Sequence, residues 1–394
     1  MGLPLQGIRV LDLSMYLPGP LCSQFLADFG AEVIKVEELT GEWGRWVPPK
    51  MGKQSARFYA VNRNKKSIAL NLKTEKGKAV FRKLVATADV LLEQFRPGVM
   101  DKLGLGYQQL RGINSRLIYC AITGYGQTGP LKMAGGHDLN YLSLAGVTGL
   151  TGTKEGKPAM SAAQIADIAG GTHGAVNAIL LALLGREKSG EGQFCDVAMM
   201  DGAINMLAYT LGEWSGAGQE PRRGAELLTG GYACYNIYET KDGKYVSLGA
   251  IEDKFWQGFC AKIGRLDFIP LQWVQDKQEE MINAIGEVFR DMTRDEWVEF
   301  FADSDICFTP VLSLEEMAKH PQVMEREMVI MIDDFLGTGK AMFVPGIPVK
   351  LSHTPGRVRL DFPEVGEHTC ELLEELGYTS EEISNLKNSG VVQF

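Results

Sequence analysis

The stretch GIRVLDLSMYLPGPLCSQFLADFGAEVIKVE (Gly7–Glu37) decides the fold. GIRVLDLS is apolar and rich in branched side chains, as a buried strand requires. In PGPLCSQFLADFG, Pro18 and Pro20 suit the first turn of a helix and Gly30 its stop. AEVIKVE is then a second strand. Strand, helix and strand in quick succession is a βαβ unit, and such a unit makes its sheet parallel.

The same alternation continues outward. KSIALNL reads as a strand, Thr74–Thr87 as a helix and DVLLEQF as a strand, and RLIYCAITGYG is a strand ending in a glycine-rich loop. This predicts an open, doubly wound α/β domain. A long apolar helix is expected from Asp167 to about Leu184. Beyond it the pattern changes: the strands YACYNIYET and KYVSLGA flank a KDG turn, and KFWQGFCAKIG and RDEWVEFFADS are amphipathic helices. We therefore expect a smaller α+β domain over 224–330, between a first large-domain part (1–223) and a returning segment (331–394). The tail GEHTCELLEELGYTSEEISNLKNSG reads as two short surface helices.

Composition narrows the function. With 394 residues and 45% hydrophobic content the chain can bury two ordinary cores. A formal charge of −9 and the lack of any Lys/Arg-rich run argue against a nucleic-acid partner. The seven cysteines are scattered without a C-x-x-C pair, so neither a disulfide framework nor a zinc knuckle fits. The opening MGLPLQGIRVLDLS has no signal-peptide pattern, and Gln6 breaks the myristoylation pattern. The longest apolar run, AVNAILLALLG, is shorter than the about 20 residues of a membrane helix. The expectation is a soluble cytoplasmic protein with no membrane partner.

Familiar signatures are missing. G-x-G-x-x-G does not follow the first strand, and no phosphate-binding G-x-x-x-x-G-K-[ST], G-x-S-x-G elbow or H-E-x-x-H is present. No metal site is expected. Three polar residues in apolar settings remain. His137, one of five histidines, follows Gly135 and Gly136 in GGHDLNY; it lies at a helix start, where Asp138 is a ready cap. Asp167 lies in QIADIAGG, where Ala169, Gly170 and Gly171 would leave room for a ligand; a capping role is the alternative. Glu252 follows the strand YVSLGA at the start of a helix, where open sheets place ligands, and a helix-end charge is the alternative. Together they make an acid/base set of one imidazole and two carboxylates.

These motifs, in this order, resemble the class III CoA-transferase (CaiB/BaiF) family, which includes α-methylacyl-CoA racemase. The resemblance runs through PGP, LADFGAEVIKVE, NRNKKSIALNLK, EQFRPGVMDKLGLGY, AITGYGQTGP, GHDLNYLSLAG, ADIAGG, SGEGQFCDVAMMDG, LGAIEDKFW, TPVLSLEE and the PEVGEHTCELLEELGYTSEEI close. It implies a Rossmann-like large domain, a small domain and an interlocked dimer, with the active site between the large domain of one subunit and the small domain of its partner.

It also implies chemistry on acyl-CoA thioesters, with CoA as part of the substrate and no tightly bound cofactor. In transferases of the family the residue matching Asp167 attacks the thioester carbonyl; covalent intermediates then pass CoA to a carboxylic acid. In racemases it acts as a base at the α-carbon, with His137 on the other face and Glu252 orienting the imidazole. Backbone N–H groups near Asp167 are candidates to hold the enolate oxygen. Arg45, Arg63, Lys65, Lys66 and Arg96 match basic motifs suited to CoA phosphates, and Asp138 and Tyr141 join the CoA-binding set. Met199, Met200, Met206, Trp214, Tyr232 and Tyr235 are candidates for an acyl channel, or for core.

Racemases usually carry Arg where Glu38 stands, and the G-x-x-R spacing of Glu42 and Arg45 and the chain's length are more transferase-like. The reading that results is a CoA-transferase acting through Asp167, with racemisation and a non-catalytic CoA-binding subunit of a heteromer as alternatives, and a homodimer as the expected assembly.

Overall fold

The computed structural model describes residues 2–394, which fall into two compact units. Of the described residues, the large unit comprises 2–145, Ala163–Met206 and Pro321–Phe394; the small unit comprises Gly146–Ala162 and Leu207–His320. The expected boundaries at 224 and 330 are corrected. The small unit begins earlier, ends earlier and takes in a separate piece, 146–162, that its sequence does not set apart.

In the large unit, β1 (Arg9–Leu13), α1 (Pro18–Asp28) and β2 (Glu32–Glu37) form the expected βαβ unit, with β1 and β2 in parallel register. Gly30 ends α1 at φ +104, and a Cβ there would stand 2.5 Å from Leu3. β3 (Lys65–Leu70) follows, then α2 (Glu75–Ala86), whose N-cap Thr74 accepts the Gly77 N–H at 3.0 Å. β4 (Val90–Glu93) and β5 (Ile118–Thr123) continue the parallel sheet. α3 spans Asp138–Leu144.

The long apolar helix is present in altered form. Ala166–His173 is π-helical, and only then does α4 (Gly174–Ser189) run as an ordinary helix. A π-helical stretch this long is rare and tends to mark functional positions. The combined run is 24 residues long, and its most apolar 18-residue window, with mean hydropathy 1.5, is long enough to cross a membrane, which the sequence reading did not expect. Its inner face is seated in the large unit through Ala175, Val176 and Ile179, and Arg186 is ion-paired to Asp89 at 2.8 Å. β6 (Phe194–Ala198) and α5 (Met199–Asn205) complete the run.

The sheet order is β3-β2-β1-β4-β5-β6, all parallel, with a final strand, Val392–Gln393, antiparallel on the β3 edge. Strand order reverses between β1 and β4, so ligands are expected at the carboxyl ends there. The tail is more than a surface feature. Its helices, Thr369–Glu375 and Ser380–Asn388, bury Leu372, Leu373, Ile383 and Leu386 in the sheet's core.

The small unit holds an antiparallel sheet of β7 (Tyr235–Glu239), β8 (Tyr245–Gly249) and β9 (Phe308–Pro310). α6 (Asp253–Lys262), α7 (Gln278–Phe289) and α8 (Arg294–Phe301) pack on it around Trp256, Phe259, Phe289 and Trp297.

Candidate active site

Asp167 lies in the first turn of the π-helical segment, half-buried. It does not cap that turn: its carboxylate accepts no hydrogen bond among the described residues. What ties the turn down is Asp138, whose Oδ1 accepts the amide N–H of Ala166 at 2.7 Å and of Asp167 at 3.1 Å. Burial first, and the charge of Asp138 second, push the Asp167 carboxyl up to about 7.

The glycines after Asp167 make no room for a ligand. A Cβ on Gly170 would stand 2.4 Å from the Met199 carbonyl oxygen, and one on Gly202 would stand 2.2 Å from Gly170 Cα. They let α5 lie backbone to backbone against the turn. Met199 accordingly belongs to the core beneath it. The amides of Ala166 and Asp167 are likewise not free enolate donors, because Asp138 already holds them.

His137 is exposed and is itself the N-cap of α3, in extended backbone; Asp138, expected as that cap, is the first helical residue. The His137 N–H donates to Asn140 Oδ1 at 3.0 Å. Tyr141 is buried, packs edge-on against Tyr125 at 5.2 Å, and donates its hydroxyl to the Gly136 carbonyl. Burial, then the charge of Asp167, raise that phenol to about 12. Arg96 reaches the same loop: a Cβ on Gly135 would stand 3.0 Å from its Nη2. The large unit thus brings Arg96, His137, Asp138, Tyr141 and Asp167 together. Glu252 is in the small unit, exposed past the end of β8 at the N-cap of α6, and makes no side-chain cap bond.

Four of the expected CoA contacts are corrected. Arg45 is fully buried, with Nε 2.7 Å from Glu37 Oε2, Nη2 2.6 Å from Glu37 Oε1, and Nη1 on the Pro363 carbonyl and Gln54. Arg63 is buried against Asp28, with its third contact on the Pro345 carbonyl. Lys65 spends its three donors on Asp12, Asn62 and the Pro20 carbonyl. Burial pulls it down to about 8 against the attraction of Asp12. Lys66, at the amino end of β3, pairs with Glu32 and Glu371. None offers a free fork to a phosphate. The side chains of Asp138 and Tyr141 are also engaged within the protein, whereas Arg96 is exposed and makes no ion pair among the described residues.

A cavity of about 680 Å³ opens at the carboxyl ends of β1, β2 and β3, lined by Ser14, Leu39, Trp43, Lys73, Phe95 and Lys102 among others. The sequence reading did not name these residues. Their signal was position, since each lies in the segment that follows the carboxyl end of a parallel strand. A larger cavity, about 1240 Å³, lies in the small unit against Tyr235, Ile237, Tyr245 and Cys307. Of the other acyl-channel candidates, Met206 and Trp214 are exposed, and Tyr232 bonds Gln275.

Residues 5–369 match the sequence profile of CoA-transferase family III. The chain belongs to this family. Family III relatives of both chemistries align nearly end to end. Mouse α-methylacyl-CoA racemase is 37% identical over 397 residues, covering 99% of this chain and 97% of the relative. Human succinyl-CoA:glutarate CoA-transferase is 32% identical, covering 99% and 90%. A solved CaiB/BaiF family protein from Brucella suis superposes with TM-score 0.82 at 30% identity, over 95% of this chain and all of that one.

Proposed function

We propose that this family III protein is an enzyme acting on acyl-CoA thioesters, and that it racemises the carbon next to the thioester. One observation carries the reading. A half-buried carboxyl held near 7, Asp167, sits on a turn bonded to the residue directly after His137. Inversion through an enolate needs a group that releases and accepts a proton near neutral pH on each face of that carbon. Asp167 serves one face and His137 the other. A 2-methylacyl-CoA is the fitting substrate.

The sequence leaned towards CoA transfer through the G-x-x-R loop and the chain's size. Arg45 of that loop is bound internally to Glu37, and the racemase relative has matching length, so both arguments lose their weight. Transfer through an acyl-Asp167 intermediate remains the second reading, favoured by Glu38, exposed where racemases of the family usually carry Arg.

The nucleotide end of CoA would lie in the cavity at the carboxyl ends of β1–β3, where Lys102 and Lys73, the latter 3.7 Å from Glu38, line the wall and the exposed Arg96 follows the lining residue Phe95. We further propose the interlocked dimer of the family, with Glu252 of the partner subunit beside His137. The exposed Leu180, Leu181 and Leu184 on α4 give such an assembly an apolar stripe to cover. Light scattering should then return twice the 43.3 kDa chain mass.

The deciding experiment incubates the protein in D2O with a single-enantiomer 2-methylacyl-CoA and no acceptor acid. Deuterium at C2 with loss of chirality is the expected result. Absence of exchange, with CoA passing to an added carboxylic acid, would overturn it in favour of transfer.

A further inference from the structure

We infer that Asp138 is a positioning residue for Asp167, acting across the fold rather than on CoA. The inference rests on the proton-transfer reading above. A first-turn aspartate ordinarily serves its own helix. Here α3 is capped instead through Asn140, and the Asp138 carboxylate reaches a different element, 28 and 29 residues along the chain. It takes the two amides at the entry of the π-helical turn and so fixes where the Asp167 side chain departs. α5 closes the other side of the turn through the Gly170–Gly202 contact, which leaves the turn no alternative seat.

The choice of a carboxylate is informative. Asparagine or serine would cap those amides equally well without a like charge beside Asp167. Asp138 adds that charge, and a like charge favours the protonated form of its neighbour. The other titratable groups on the elements packed around the turn are His137 at the start of α3 and Tyr141 on it, Asp201 on α5, Cys195 and Asp196 on β6, Cys22 and Asp28 on α1, Arg186, Glu187 and Lys188 on α4, and His173 on the turn itself. α1 and α4 commit Asp28 and Arg186 to ion pairs with Arg63 and Asp89. Of all these, Asp138 alone acts on the Asp167 carboxyl beyond burial. Asp138 therefore has two separable effects, one geometric and one electrostatic.

Two variants separate them. Asp138→Asn keeps an oxygen acceptor and removes the charge; Asp138→Ala removes both. The first readout needs no substrate: titration of the Asp167 carboxyl by carbon-13 NMR of aspartate-labelled protein, assigned with Asp167→Asn. We expect Asp138→Asn to lower that titration by about one pH unit, with unchanged thermal midpoint. The second readout is deuterium exchange at C2. In Asp138→Asn the acid limb of kcat/KM should move down in step with the titration. In Asp138→Ala kcat should fall about 100-fold with little change in KM, as for a misplaced reacting group. An unmoved titration in Asp138→Asn, together with wild-type kcat in Asp138→Ala, would overturn the inference. A shifted titration with no exchange in any protein, wild type included, would uphold Asp138's role and overturn racemisation instead.

Discussion

Arg45 and Glu37 form a two-point ion pair inside the large unit, at 2.7 and 2.6 Å, with the guanidinium 4.0 Å from the centre of the Phe58 ring. Removing one partner of such a pair strands a buried charge and typically costs about 3–5 kcal/mol. Arg45→Ala should therefore lower the unfolding free energy by about that much, measured by denaturant titration. In the fraction that stays folded, KM for acyl-CoA should be unchanged. A stable variant with a KM raised tenfold or more would return Arg45 to the CoA site.

The proton affinity of Asp167 has a definite sign in catalysis. A carboxyl raised to about 7 is protonated, and unable to accept a proton, through most of the acidic range. The rate in the direction that uses Asp167 as base should therefore rise with pH through about 7 rather than level off near 4. Asp167→Asn should cost about 100- to 10,000-fold in exchange at C2, the span ordinary for a lost general base. Exchange kinetics across pH 5–9 would check both.

What the sequence made legible follows from how each element is buried. β1, β2 and β3 are covered on both faces, and their Val, Ile and Leu stand out although Arg9, Asp12, Lys35, Lys65, Lys66 and Ser67 are interspersed, and α1 carried its own proline start and glycine stop. β6 was missed because FCDVA is short and interrupted by Asp196, and the two-residue strand Val392–Gln393 has no pattern to read. Asp167 and His137 stood out because polar residues are conspicuous in apolar surroundings. The charges of NRNKK and GRW looked like phosphate ligands because a sequence shows charges without their partners. Asp28 is 35 residues from Arg63, and Asp12 is 53 from Lys65. The same distance hid the bond from Asp138 to the Asp167 turn.

Glu93, at the carboxyl end of β4, is 5% exposed. Burial raises its carboxyl to about 7, against the Phe95 N–H and Tyr119 hydroxyl that donate to it. A carboxyl with a raised folded-state value favours the native state while both states are protonated, and loses that advantage as pH climbs through the folded value. The wild type should thus lose on the order of 3 kcal/mol from this group between about pH 4 and pH 8. Glu93→Gln mimics the neutral acid and should escape that loss. Its thermal midpoint should exceed the wild type's at pH 8 and converge with it at pH 4–5. A gap independent of pH would assign the change to packing.

The contact between Gly202 and Gly170 makes a sharper demand on side-chain size than any other near Asp167. A Cβ on Gly202 would lie 2.2 Å from Gly170 Cα, and the obstacle is backbone, which cannot swing aside like a side chain. Gly202→Ala must push α5 away from the π-helical turn or distort the turn itself. Overpacking of this kind costs about 1–3 kcal/mol in stability. The turn that gives way carries Asp167, so activity should fall more steeply than stability, by about 100-fold in kcat. Gly212 offers the control, since a Cβ there meets nothing within 4 Å and Gly212→Ala should leave kcat untouched. Equal activity in the two variants would show that the turn tolerates displacement, and that Asp167 is held by Asp138 alone.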